Sequence, residues 1–179
     1  MSAARLIHLN GPPGVGKTTL ARQYVDHHRG VLLCDVDVLR TMIGGWRQDA
    51  DAAERSRATA LGMITAYLRT GHDVVLPQLV ARTDQLIRFA TAAAEGGGEH
   101  VHVMLTIDPE TAVRRFRARA AAADDEWTAY ATADWDAQGG NAALREWTAR
   151  LDRMPAIRVP STDPGSTYAA LLAALGEGA

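Results

Sequence analysis

Short apolar runs recur along the chain at Leu6 to Leu9, Val31 to Cys34, Val74 to Leu76, Val101 to Ile107 and Ile157 to Val159, separated by helical patterns or glycine. Runs of this length, bounded by turn residues, read as strands buried on both faces. Their alternation with helices predicts an α/β fold, a five-stranded parallel sheet with helices on both faces. Helices are expected over Thr19 to His28, over Ala52 to Thr70 before Gly71, and over Thr83 to Glu95, which stops at Gly96, Gly97 and Gly98. Asp108 can cap a further helix with Pro109 at its first position and Glu110 in its first turn, and Tyr168 to Leu175 reads as the last one. From Ala118 to Arg150 acidic residues mix with Trp127, Tyr130, Trp135 and Trp147, and Gly139, Gly140 and Asn141 break the stretch into two helical pieces. Two readings stay open: a hinged lid or substrate cap over a site, or a peripheral hairpin whose aromatics pack on the body.

Composition narrows the setting. A chain of 179 residues with 47% hydrophobic and 22% charged residues suits one domain with a proper core. The net charge of -2 gives no electrostatic case for a stable nucleic-acid partner. Cys34 is the one cysteine, so no internal disulfide forms, which suits a reducing compartment. A single Arg5 and a very short apolar run before Gly11 match neither a signal peptide nor a membrane anchor. The expectation is a soluble, cytoplasmic monomer or homodimer with no membrane contact.

Chemistry enters at Gly11 to Thr18, G-P-P-G-V-G-K-T, between the first strand and the first helix. Glycines let the backbone turn its amides inward, and the helix N-terminus adds partial positive charge, which makes an anion site for a di- or triphosphate. The loop residues Gly11, Pro12, Pro13, Gly14, Val15, Gly16, Lys17 and Thr18, with Thr19, are therefore candidate contacts of ATP or GTP. Lys17 would reach the β- and γ-phosphates and the Thr18 hydroxyl would hold Mg2+. The plain alternative is a Gly/Pro turn opening an ordinary helix.

Asp35 and Asp37 stand at and just beyond the end of the second strand, at the carboxyl edge where parallel sheets bind ligands. Asp37, further out, is assigned as general base for an attacking hydroxyl and Asp35 as a metal contact; otherwise both cap the next helix. Arg40, one helical turn after Asp37, either orients the base and grips the acceptor or faces water. Arg114, Arg115, Arg117 and Arg119 crowd one helix, and Arg115 and Arg119 share a face that can clamp the transferring group or stack on the base. The third strand ends in Pro77 and Gln78, where many phosphate-loop proteins carry an acid, which leaves Gln78 for a substrate. Arg82 follows as a second possible anchor, and Trp46, Trp127 and Trp135 are candidate aromatic contacts of the acceptor. No pair among the six histidines has convincing metal-ligand spacing.

Taken together, G-P-P-G-V-G-K-T, D-V-D-V-L-R at Asp35 to Arg40 and R-F-R-A-R at Arg115 to Arg119 resemble the small phosphate-loop kinases, a group that includes shikimate and gluconate kinases, polynucleotide kinase and chloramphenicol phosphotransferase. The resemblance implies a nucleoside-monophosphate-kinase-like sheet, Asp37 as base, Arg115 and Arg119 as lid arginines, and a base-binding loop at Pro160 to Asp163, with Ser161, Thr162 and Asp163 as contacts. It further implies γ-phosphoryl transfer to a hydroxyl of a small molecule. The hydrophobic aromatics and the lack of a basic groove look more like an antibiotic or nucleoside-antibiotic phosphotransferase than a kinase for a small anionic acid. The alternatives are a nucleotide-binding regulatory ATPase and a polynucleotide 5′-kinase.

Overall fold

The computed structural model describes residues 3–177. Five parallel strands form one sheet: β1 (Arg5–Asn10), β2 (Leu32–Leu33), β3 (Val74–Pro77), β4 (Glu99–Thr106) and β5 (Ile157–Pro160), in the order β2-β3-β1-β4-β5. β1 is central and reads R-L-I-H-L-N, with every residue after Arg5 buried, because helices cover both faces. Its period of two splits it between two cores. Leu6 joins Val74, Leu76, Ile64 and Phe89 on the side of α3 (Ala52–Leu68) and α4 (Thr83–Glu95). Ile7 and Leu9 join Val75, Val103, Leu105, Tyr24 and Leu171 on the side of α1 (Lys17–His27) and α8 (Pro164–Ala174).

Element boundaries shift from the sequence expectation for local reasons. β2 is only Leu32–Leu33, an edge strand paired on one side to β3; Cys34 N still donates to Val75 O at 2.9 Å, and Asp35 then caps α2 (Val36–Thr41). The closing helix starts at Pro164, earlier than Tyr168, because Asp163 caps it by accepting from Ser166 N. α5 (Pro109–Ala122) begins as its Asp108–Pro109 signal predicts, and α6 (Glu126–Ala137) and α7 (Gly140–Leu151) are separated at Gly139, whose φ of 112° favours glycine. These last three helices share a small core of Val113, Phe116 and Leu144, with Trp135 packed against it.

Chain order reverses at β1: β3 lies on one side of it and β4 on the other. Ligands of open α/β sheets sit outside the carboxyl ends of the strands at such a point. The glycine loop leaves β1 there. Among the described residues no helix is long and apolar enough to cross a membrane.

Candidate functional site

The loop after β1 is shaped by close backbone approach. Gly14 has φ 82°, and a Cβ on it would stand 2.7 Å from Ala112 O and 2.9 Å from Phe116 N, so the loop lies directly on the backbone of α5. Gly16, with φ 99°, is the N-cap of α1. Lys17 folds back and donates to Gly11 O at 2.9 Å and Pro12 O at 3.0 Å. Burial pushes its ammonium down to about 8; Arg119 adds to this, and Asp37 and Asp35 oppose it. A triphosphate would supply the anionic partner that two neutral carbonyls only partly replace.

Beyond the loop lies a cleft of about 760 Å³. One wall holds Lys17, Thr18, Thr19 and Arg22 from α1; the floor holds Asp35, Asp37, Arg40, Pro77 and Gln78; the far wall holds Arg115 and Arg119 from α5 and Trp127, Tyr130 and Trp135 from α6. Residues from five elements, scattered through the sequence, thus meet at one edge of the sheet.

Asp35 caps α2: its Oδ1 accepts from Asp37 N at 3.0 Å and Val38 N at 3.3 Å. Asp37 sits in the first turn of that helix, half-buried in the cleft. Burial pushes its carboxyl up to about 6, and the Asp35 charge pushes the same way against Lys17, Arg40 and Arg119. Such a carboxylate is ionised at neutral pH yet far more basic than an exposed aspartate. Arg40, one turn on, lies with its guanidinium 5.8, 5.7 and 4.9 Å from the ring centroids of Trp46, Trp127 and Tyr130, and donates to Tyr130 Oη at 2.8 Å. α2 is thereby joined to α6, and an Arg47–Glu126 ion pair adds a second tie.

The four arginines of α5 part company. Arg114 donates to Thr111 Oγ1 on its own helix, and Arg117 pairs with Asp136. Arg115 reaches the loop after β5, donating to Ser161 Oγ at 3.1 Å and Thr162 O at 2.8 Å, while Ser161 Oγ donates to Val15 O at 2.8 Å. Arg119 faces the cleft. Ser161, Thr162 and Asp163 line a separate pocket of about 220 Å³ with Gly14, Val15, Gly16 and Thr19, beside the phosphate loop.

Two sequence candidates stand outside the cleft. Arg82 is exposed and paired with Asp84 two residues on, so its charge is met locally. Trp46 is 6% exposed and packs behind Tyr130 and Trp127 as their support rather than as cleft lining. Gly11, Pro12 and Val15 are buried within the loop, and their backbone shapes it. Conversely, Arg22, which carries no motif, lines the cleft, as do Tyr130, Asp125 and Asp134 of the 118–150 stretch, which the sequence offered only as part of a cap or hairpin. Arg22 is four residues after Thr18 and Tyr130 three after Trp127, spacings that put each on the face of a residue already of interest.

Comparison with known proteins bears on the fold. A family model described as an AAA domain matches residues 6–143. No curated protein matches the chain. Among solved structures, the tunicamycin resistance protein of Deinococcus radiodurans is 16% identical with a TM-score of 0.64, over 98% of this chain and 96% of that one. A gluconokinase of Sinorhizobium meliloti 1021 is 14% identical with a TM-score of 0.62, over 98% and 94%. A chain of an RNA repair complex is 18% identical with a TM-score of 0.66 over 85% of this chain, which spans only 45% of that one. What is shared at these identities is the fold, that of the small phosphate-loop kinases.

Proposed function

With a family model matching residues 6–143, the chain belongs to the AAA-domain family, and from that premise we propose that it moves the γ-phosphoryl group of ATP or GTP to a hydroxyl of a small organic molecule. The observation that carries the reading is the placement of Asp37, its carboxyl raised to about 6, in one cleft with Lys17 and Arg119. The acceptor hydroxyl oxygen attacks the γ-phosphorus, the bond from phosphorus to the bridging oxygen of the β-phosphate breaks, the nucleoside diphosphate leaves, and Asp37 takes the hydroxyl proton. Lys17 and Arg119 stabilise the charge on the transferring group. Arg115, held by Ser161 and Thr162, joins the phosphate loop to the pocket that would receive the base.

The residues present fit magnesium as a partner of the nucleotide. Thr18 and the Asp35 carboxylate offer hard oxygens at the cleft, although Asp35 Oδ1 is engaged in capping α2. Among the described residues no group of three or more His, Cys, Asp or Glu side chains could hold a metal, so phosphate oxygens and water would complete the set. Bound there, the ion supplies charge neutralisation at the β- and γ-phosphates.

For the acceptor, Gln78 and the rings of Trp127, Tyr130 and Trp135 favour an uncharged, ring-bearing molecule, with an antibiotic or nucleoside antibiotic as the class to try first. Asp125 and Asp134 on the same wall disfavour a small anionic acid or a phosphate backbone. The test is a screen of hydroxylated metabolites and antibiotics with ATP and with GTP, reading diphosphate release. At least one neutral ring compound should raise turnover well above the water background; a panel in which none does removes the transferase reading and leaves a nucleotide-hydrolysing protein.

A further inference from the structure

Asn10, the last residue of β1, is fully buried and has all four of its hydrogen-bonding positions filled. Its Oδ1 accepts from Gly11 N at 2.8 Å and Val80 N at 3.0 Å, and its Nδ2 donates to Val80 O at 2.7 Å and to His102 Nε2 at 3.1 Å. Turning the amide over would set Nδ2 against two N–H donors and Oδ1 against a carbonyl, so its orientation is fixed by the backbone. His102 Nε2 must therefore accept. Its proton sits on Nδ1, which donates to Pro155 O at 3.0 Å, and the ring is neutral. Beside it His8 Nε2 donates to Gln78 O at 2.8 Å.

We propose that Asn10 is a positioning residue that keys the segment 78–80 to the phosphate loop, with His102 as its obligate neutral partner. Gly11, on one side of Asn10, opens the loop and its carbonyl receives Lys17 Nζ; on the other, Val80 is buried in the core and holds the segment whose Gln78 and Leu79 line the cleft. His8 and Asn10 together bolt that segment to β1 at two points, so the donor and acceptor halves of the site keep a fixed separation. What Gln78 meets in the cleft rests on the phosphotransferase reading; the strut itself does not.

The surroundings keep the rings neutral. His100 stacks on His8 at 5.6 Å and on His102 at 6.0 Å between centroids, His8 and His102 lie tilted at 5.3 Å, and Phe89 of α4 closes on His8 at 5.5 Å. Lys17 is the charged group that bears on His8, and none of the three rings pairs with a carboxylate among the described residues. Burial lowers all three, His8 to about 3 and His100 to about 4. Protonating His102 would set an N–H against the Asn10 N–H and break the strut.

The test measures amide protection at Gly11 and Val80 by NMR in the full chain across acid to neutral pH, together with nucleotide affinity, and needs no acceptor. Asn10→Ala should cut protection at both amides by about tenfold or more, since both lose a buried acceptor. In the wild type, protection at Val80 should fall as the pH drops below the ordinary histidine range. In Asn10→Asp an oxygen replaces Nδ2 and faces Val80 O and His102 Nε2 with no proton between, so a proton taken up by the carboxyl or by His102 restores the contact, and the trend should reverse, with protection growing toward acid. His102→Gln offers a neutral acceptor and should flatten the profile, and it carries the test if Asn10→Asp does not fold. Protection and affinity unchanged in Asn10→Ala, or an acid trend in either of the other variants parallel to wild type, would overturn the proposal. Missing phosphoryl transfer with these amide effects intact would count against the transferase reading alone.

Discussion

A carboxylate that is buried before any partner arrives weakens the fold that holds it, and Asp37, the proposed base, lets that cost be measured. Its carboxyl is raised from 3.8 to about 6, chiefly by burial and then by Asp35. The native state therefore binds this proton more tightly than the unfolded chain. Stability is unaffected below about pH 4, falls as pH rises through about 6, and stays lower above it. The shift corresponds to a ceiling of about 3 kcal/mol, with about 2 kcal/mol expected once screening at the exposed edge of the carboxylate is counted. Asp37→Asn keeps the shape and removes the charge. At pH 7.5 it should be more stable than wild type by about 2 kcal/mol, or about 4 to 8 °C in Tm for a chain of this size, while phosphoryl transfer is lost. At pH 4 the two proteins should melt together. Urea unfolding at both pH values gives the free energies, and the acid limb of kcat/KM in the wild type should bend near pH 6. A variant that is no more stable at pH 7.5, or equally stabilised at pH 4, would refute the assignment of a strained buried carboxylate.

Gly14→Ala drives a Cβ to 2.7 Å from Ala112 O at a left-handed φ, so the loop must lift from α5; nucleotide affinity should fall at least about tenfold, read by titration with a fluorescent nucleotide. Tyr130→Phe removes the 2.8 Å bond to the Arg40 guanidinium and leaves the ring in place. Acceptor KM should rise about tenfold with nucleotide KM unchanged, and an unchanged acceptor KM would show that Tyr130 does not shape that half of the cleft.

Much of the fold could be read from the chain because its signals are local. The apolar runs mark strands buried on both faces, and Asp108 with Pro109 marks a helix start that needs no tertiary context. Where position in the sheet decides, local signals mislead: Val31 has a strand-like side chain but donates to His28 O in a turn, and Cys34, whose N–H still reaches Val75 O, gives way at once to the Asp35 cap of α2. The site divides the same way. Gly11 to Thr18 carries its own geometry, and Asp37 and Gln78 follow from strand ends. Trp46 and Arg82 have the right chemistry, yet one is screened by Trp127 and Tyr130 and the other is neutralised by Asp84. The Asn10 strut could not be read at all, because its partners Val80 and His102 lie 70 and 92 residues away. The arginines of α5 show why counting charges is not enough, since Asp136 and Thr111 take two of the four out of the cleft.

The small core of Val113, Phe116 and Leu144, closed by Trp135, stands apart from the two clusters that hold the sheet. That separation makes the chain modular for redesign. Trp127 and Tyr130, on the cleft face of α6, lie outside that core and pack on Trp46 and Arg40 instead, so exchanges there act on the tie between α2 and α6 and leave Val113, Phe116 and Leu144 in place beneath the phosphate loop. A library varied at Trp127, Tyr130 and Asp134 should therefore keep its nucleotide half folded across most members, so that changes in acceptor preference can be sorted from loss of structure by nucleotide binding alone.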